Sequence, residues 1–483
     1  MNKMIKRILV LCLTLITTVS FVACQGKNND DTTPATEAGS LKESYGDWTD
    51  KAIEVGALDK GVRVEWLRDA ARSFNVGTGS KITIKADESL NENLETLIDA
   101  RTGYDVYFTF SAQHQWVRWG LQDKIYSLDD IGVNFKETME VCGVVNNVRY
   151  TMPYTYSPTG FIYNQNYIND IPSNGEFVKG TFPATWQGLL DMCDSINNKW
   201  NKVTLGQKVV PLSWGGSVGD MGYVFEALWG QIDPVGYKAY WGQTTENVAG
   251  QNNKSLLVNE NSIQALDCVA KLLNPTKNTN GQYYPGNSFS DSTSHSNLMA
   301  EQKFLNGLSV FTISGSWFET EMGEQIEDDE IDFYHYATMP IVNSGSKETI
   351  YINSPAEYFM IAKNGKNNNP DLAKAFLKYL ASEERSRVFQ AYTGVPTAME
   401  YRMQKDTLSP FAKEVAEALE RSAQVVSASD QKASLSGVLN LNVTTPFIRL
   451  ATMAYSVDNA EAQLNDLYNT QYNDWNDYFK TFD

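Results

Sequence analysis

Histidine and cysteine are scarce in this chain. It has 3 histidines, His114, His295 and His335, and 5 cysteines in 483 residues. No HExxH motif occurs, no Cys–His nucleophile pattern, and no close cysteine pair at zinc-ligand spacing. Metalloprotease, cysteine-hydrolase and zinc-module chemistry therefore lack a sequence basis, and no motif asks for a cofactor. Cys12 and Cys24 lie in or beside the first apolar stretch, which leaves Cys142, Cys193 and Cys268. An odd set of thiols spells out no disulfide framework, and buried free thiols are expected. Positive charge is also short: 40 Lys and Arg against 58 Asp and Glu give a formal net charge of −18. Such a surface repels phosphate backbones, which argues against nucleic acid as a partner and against a basic membrane-adsorbed face. There is no internal repeat.

What is present begins at Met1. Lys3, Lys6 and Arg7 precede an almost uncharged run, 8–22, which is too short and one-sided for a comfortable transmembrane helix. With small Ala23 before Cys24, the layout is that of an export signal. The stretch Phe21-Val22-Ala23-Cys24 resembles a bacterial lipoprotein signal, with Phe21 where Leu is usual. That resemblance implies loss of residues 1–23, a lipid on Cys24 that holds the protein to the membrane, and a folded part working outside the cytoplasm. An ordinary secretory signal with an incidental cysteine is the competing reading. Residues 24–40 are rich in Asn, Asp, Thr and Gly and read as a flexible tether.

Beyond the tether, strand-like and helix-like segments alternate. Ala52 to Leu58 reads as a strand, Val62 to Phe74 has helical spacing, Lys81 to Lys85 alternates, Leu90 to Ala100 reads as a helix and Tyr104 to Phe110 as a strand. This order predicts an α/β domain with a largely parallel sheet. Further helices are expected after Thr185, after Pro370 (capped by Asn369, with Asp371 at its positive end) and from Asp458 towards Phe479. The acidic run 327–330 has the charge to attract a cation, but a solvated loop is the simpler expectation.

Several blocks, in order, carry a family resemblance. They are Tyr104-Asp105-Val106 with Trp119-Gly120-Leu121 and Leu128; Arg149 to Asn164; Pro183, Thr185 and Trp186; Ser314 to Trp317; Met339-Pro340; Ala362-Lys363-Asn364; and Thr393 to Pro396. Together they resemble the extracellular solute-binding proteins of the maltose-binding type, the capture subunits of ABC importers (family 1). The resemblance implies a two-lobe, periplasmic-binding-protein-like α/β fold with hinge strands and an interlobe ligand cleft. By analogy, lobe one is 41–154 with 362–424, and lobe two is 160–353 with 435–483. The hinge segments are then 155–159, 354–361 and 425–434. It also implies a monomer that passes a small-molecule carbohydrate to membrane permease subunits.

A sugar ring presents an apolar C–H face and a rim of hydroxyls, so its site should combine Trp or Tyr with amides and carboxylates. Each polar group left unmatched in a closed cleft costs about 1–3 kcal/mol. Trp317 is the first candidate, since the family's G-x-W tryptophan commonly stacks on sugar. Trp214 and Asp220 follow, in the Gly-rich loop 211–220, which lacks phosphate-loop spacing. Tyr154 and Tyr156 lie at the first hinge. Gln113, His114 and Trp116 follow a strand at its carboxyl end, where such folds bind ligands. Asp59 and Lys60 resemble an Asp-Lys pair that some sugar-binding members use. Phe447 offers another ring in the last crossing. Core packing competes for every aromatic here, and a plain surface turn competes for Asp59 and Lys60.

The rival class is an exported glycan-degrading enzyme, which needs two carboxylates roughly 5–10 Å apart across a bond. No segment singles out such a pair. Ser217 formally fits G-x-S-x-G, but no strand–elbow–helix context with a partnered histidine is evident. A lipoprotein that adheres to glycans without transport is the third reading.

Overall fold

The computed structural model describes residues 41–469, apart from 61, 63, 100–102, 111–114, 141, 218, 242–253, 324, 327–332, 353–356, 428–443, 455 and 457–458. The signal, the tether, Gln113, His114, the acidic run 327–330 and residues 470–483 lie outside the described residues.

Strand β1 (Ala52–Leu58) buries Ile53, Val55 and Ala57 completely. It pairs in parallel with β2 (Lys81–Asp87), from Ala52↔Lys81 to Leu58↔Asp87. Helix α1 (Glu65–Thr78) joins them. Its stripe of Trp66, Leu67, Ala70, Ala71 and Phe74 packs on the sheet, each large side chain contributing about 1.5–3 kcal/mol of burial. The helix stops at Gly79, left-handed at φ 78°, whose N–H returns to the Asn75 carbonyl. Helix α2 (Leu90–Asp99) leads to β3 (Val106–Phe110), parallel to β1, and α3 (Gln115–Leu121) follows.

The chain leaves this sheet after its edge strand β4 (Met152–Pro153) and enters a second one at β5 (Pro158–Asn164). The second lobe then adds α4 (Trp186–Asn198), β6 (Val210–Ser213), α5 (Asp220–Ile232), α6 (Glu260–Leu273), α7 (Asn297–Leu305), β7 (Ser309–Gly315), β8 (Tyr334–Ala337) and β9 (Thr349–Ile352). Thr185 caps α4 by accepting the Gly188 N–H at 3.1 Å, which is why Thr precedes Trp in that motif. Strand β10 (Glu357–Ile361) is back in the first sheet, antiparallel to β3, and α8 (Pro370–Leu380) and α9 (Glu383–Thr393) pack against that lobe. Helix α10 (Pro410–Arg421), β11 (Gln424–Ser427) and α11 (Thr444–Thr452) complete the described chain, with a helical stretch at 459–469.

The sheet orders are β2–β1–β3–β10–β4 and β6–β7–β5–β9–β11, with β8 also paired to β5. The second core centres on Trp214, Phe225, Trp229 and Leu266. The first, around Phe74, Phe108 and Phe359, continues past the crossings to Phe318, Tyr334 and Phe411.

The structure corrects the third expected crossing. Gln424–Ser427 is a strand inside the second sheet, parallel to β9. Helix α10 also sits on that lobe: Glu414 accepts the Tyr336 N–H at 3.0 Å and bonds His335 Nδ1 at 2.6 Å. Between α9 and α10 the chain runs beside the first crossing, with the Ala398 N–H donating to Tyr154 O at 2.8 Å and the Tyr156 N–H to Pro396 O at 2.8 Å. The passage therefore falls within 394–409, because the apolar stripe of Phe411, Val415 and Ala418 has its partners on β8.

Asp105 explains another motif. Its buried carboxylate accepts the Glu54 N–H at 2.7 Å and the N–H groups of Asn367 and Asn368 at 2.8 Å each. It thereby fastens β1 to the turn that enters α8. Cys193 and Cys268 are buried free thiols, and Cys142 is buried as well.

Candidate functional site: the cleft between two sheet edges

Strand direction defines the site. The carboxyl ends of β1, β2 and β3 share one edge of the first sheet with the start of β10, where Glu357 faces Phe110. In the second sheet the start of β5 faces the carboxyl ends of β7 (Gly315↔Thr159) and β9 (Ile352↔Pro158). Four residues, 154–157, separate β4 from β5, so these two edges confront each other across the hinge. Carboxyl ends of strands are where open α/β sheets hold ligands.

Trp317 stands two residues past β7 and is half-buried. Gly315 is what lets it lie there. A Cβ on Gly315 would meet Trp317 Cζ3 at 2.3 Å and the Pro158 carbonyl at 2.6 Å. The Ser316 N–H donates to that same carbonyl at 2.9 Å, tying the turn to the hinge. Asp59 and Lys60 occupy the turn at the end of β1, Asp59 half-buried and Lys60 exposed.

Sequence reasoning missed two buried acids, Glu301 and Glu357, and expected a third, Asp220, on the cleft wall although it is buried. Asp220 opens α5 and accepts the Gly215 N–H at 2.6 Å, and the Asn297 amide, turned with its nitrogen inward, donates to it at 3.0 Å. Glu301 is fully buried on α7 and accepts from Ser314 Oγ, while its Oε2 and the Ser316 hydroxyl have no partner among the described residues. Glu357 accepts from Thr155 Oγ1 at the crossing. Burial pushes the Asp220 carboxyl up to about 8 and that of Glu357 up to about 7, with Glu321 adding repulsion and hydrogen bonds opposing the rise. Glu301 is raised well above its ordinary value, by burial first and then by Glu321 and Asp220. One signal was available: Glu301 falls on the buried stripe of Ala300, Phe304 and Leu305, where an acid is out of place.

A pH dependence follows. The fold holds these protons more tightly than the unfolded chain, where carboxyls titrate near pH 4. The native state therefore binds the extra protons between pH 4 and about 8, and stability falls as pH rises through that window. Melting temperature is expected to drop by about 5–10 °C from pH 5 to pH 8.5, with Glu301→Gln flattening the slope. A melting temperature that rises across this range would contradict the assignment.

Several expected site residues are placed elsewhere. Trp214 has no exposed surface and belongs to the second core. Tyr154 is fully buried, stacked on Trp66 at 5.1 Å, with its hydroxyl donating to Leu380 O at 3.1 Å. Tyr156 is buried under Lys136 Nζ, 5.6 Å from its ring centroid. Trp116 packs in a small satellite core with Trp119 and Tyr107. Phe447 packs near Phe225 in the second core. Asp220 is buried rather than displayed on a surface. In each case burial of a large ring or a hydrogen-bonded carboxylate inside a lobe outcompeted display on its surface. No group of three or more His, Cys, Asp and Glu side chains suited to a metal occurs among the described residues.

Two α/β lobes with a gap between facing strand ends define a two-lobe binding protein of the periplasmic-binding-protein type. The chain belongs to the bacterial extracellular solute-binding protein family, whose model matches residues 69–415. It is accordingly a binding protein and not an enzyme. Solved structures share the fold. A chitin oligosaccharide binding protein superposes with TM-score 0.64 at 14% identity, covering 87% of this chain and 99% of its own. The solute-binding protein RafE in complex with raffinose gives 0.59 at 18%, covering 88% and 99%. The cyclic alpha-maltosyl-1,6-maltose binding protein from Arthrobacter globiformis gives 0.59 at 14%, covering 88% and 99%. No curated protein matches the chain by sequence.

Proposed function

We propose that this chain is the substrate-capture lipoprotein of an ABC importer and that its cargo is a neutral oligosaccharide. The observation that carries the reading is Trp317, half-buried beside Gly315 just past the carboxyl end of β7, the strand end that pairs with the start of β5 at the hinge. An indole face suits the C–H face of a pyranose. The named ligands of the fold's neighbours, chitin oligosaccharide, raffinose and a cyclic maltosyl-maltose, support the same cargo class.

In this reading Trp317 stacks on the sugar while Asp59 and Lys60 reach its hydroxyls from lobe one. Cargo touches one lobe, the crossings flex, and the second lobe adds its contacts. Cargo favours the closed state only through those extra contacts. The closed pair of lobes is the surface that the permease reads, and a lipid on Cys24 keeps the protein beside it. No residue changes the cargo chemically.

Calorimetric titration of the mature protein with a panel of neutral oligosaccharides, with product analysis alongside, tests this. Binding of at least one sugar without turnover is expected. A flat sugar panel together with tight binding of an amino acid, peptide or polyamine would defeat the carbohydrate assignment, and turnover would favour the glycan-degrading enzyme.

A further inference from the structure

A second cavity lies in lobe two, away from the cleft. It is a solvent-open depression of about 710 Å³, within the range of small-molecule pockets. It opens between the carboxyl-terminal ends of α4 and α6 and the hairpin 275–285. It reaches β6 at Val210, the first residue of that strand, whereas the last, Ser213, leads to the hinge side. The two sites are thus at opposite ends of one strand.

Its lining is rich in amides. Asn197 Nδ2 donates to Asn287 Oδ1 at 2.7 Å, Asn274 Nδ2 to the same atom at 3.3 Å, and Asn198 Nδ2 to Asp194 at 2.6 Å. That leaves the side-chain oxygens of Asn197, Asn198 and Asn274, and the Tyr284 hydroxyl, without a hydrogen bond from any described residue. The charged groups, by contrast, are already engaged. Asp194 also accepts from Asn174 at 2.8 Å, Lys208 Nζ donates to Asn197 O at 2.7 Å, and Lys271 pairs with Asp267 at 2.7 Å. An ionic ligand would have to break these pairs. An apolar ligand would strand the amide oxygens, at about 1–3 kcal/mol each. A ligand with many hydroxyl donors and one apolar face fits both conditions, since the half-buried Tyr284 ring offers a stacking surface.

We infer that this cavity is a second site for neutral carbohydrate, independent of the interlobe cleft. It holds a glycan segment by amide hydrogen bonds and by stacking on Tyr284, while the cleft takes the cargo.

The test is calorimetric titration of the full chain with maltotetraose, chitotetraose, xylotetraose and raffinose. The wild type is compared with the double variant Asn198→Ala/Tyr284→Ala, with the cavity-filling Asn198→Trp, and with Trp317→Ala. All changed positions are at least partly exposed, and circular dichroism checks each fold. At least one probe is expected to show a second, weaker isotherm that persists in Trp317→Ala and weakens about tenfold or more in both cavity variants, as loss of one stacked ring and one amide implies. The inference is overturned if no probe occupies more than one site, or if the cavity variants bind every probe as the wild type does. Either outcome leaves the cleft proposal standing, because that one is read from the isotherm Trp317→Ala removes.

Discussion

Trp317→Ala is expected to weaken carbohydrate binding by about 100-fold, which corresponds to about 2.7 kcal/mol. An aromatic ring of this size buries on the order of 150–250 Å² when stacked, and loses that contact outright on truncation. The indole is half-buried and lies over Gly315, so it is already oriented before cargo arrives and little ordering cost offsets the gain. Because the ring is only half-buried, its removal should leave the fold standing. Circular dichroism should overlay the wild type, and Trp317→Phe should recover about tenfold of the loss. Unchanged calorimetric affinity in a folded Trp317→Ala protein would make the residue merely structural.

Trp214→Ala should do the reverse. The side chain has no exposed surface and sits in the second core. Its loss should cost about 3–5 kcal/mol, the range for a large core aromatic truncated to alanine. A melting temperature lower by roughly 3–5 °C is the expected reading at this chain length. Affinity per folded molecule should stay within about threefold of wild type, since the ring contributes to the lobe and not to its surface. A large affinity loss at wild-type stability would return Trp214 to the cleft. The two tryptophans thus separate what holds a lobe together from what meets the cargo.

Local signals explain how far the fold could be read in advance. Lys81–Asp87 and Val106–Phe110 carry the residue types of half-buried and buried strands, Thr185 marks a helix start by its cap and Pro370 by its place in the first turn, where the expected Asn369 side-chain cap does not form. Asp105 was legible only as part of a motif; its four hydrogen bonds explain why that motif needs an acid. The third passage was misplaced because helix α10 has an ordinary amphipathic pattern, which says that a face is buried but not against which lobe.

The site was harder to read for the same reason. Trp214 and Trp317 each follow a strand in a Gly-containing turn, and a sequence cannot tell which ring points inward. The difference arises from tertiary contacts: the first closes over its own lobe's core, the second rests on Gly315 beside the crossing. Tyr154 and Tyr156 were drawn to the hinge by position, yet Trp66 and Lys136 claim their rings. The buried acids Glu301 and Glu357 were hidden among 58 acidic residues, though each interrupts an apolar stretch, and Asp220 was singled out by its Gly-rich loop without any sign that it is buried.

A crystal structure of the mature protein grown with the tightest-binding oligosaccharide tests the central claim most directly. The account predicts an intact sugar stacked on Trp317, with hydroxyls reached from the Asp59–Lys60 turn and the lobes drawn together about residues 154–157. A sugar held only outside the gap, a hydrolysed one, or lobes that keep their separation with the sugar bound would contradict it.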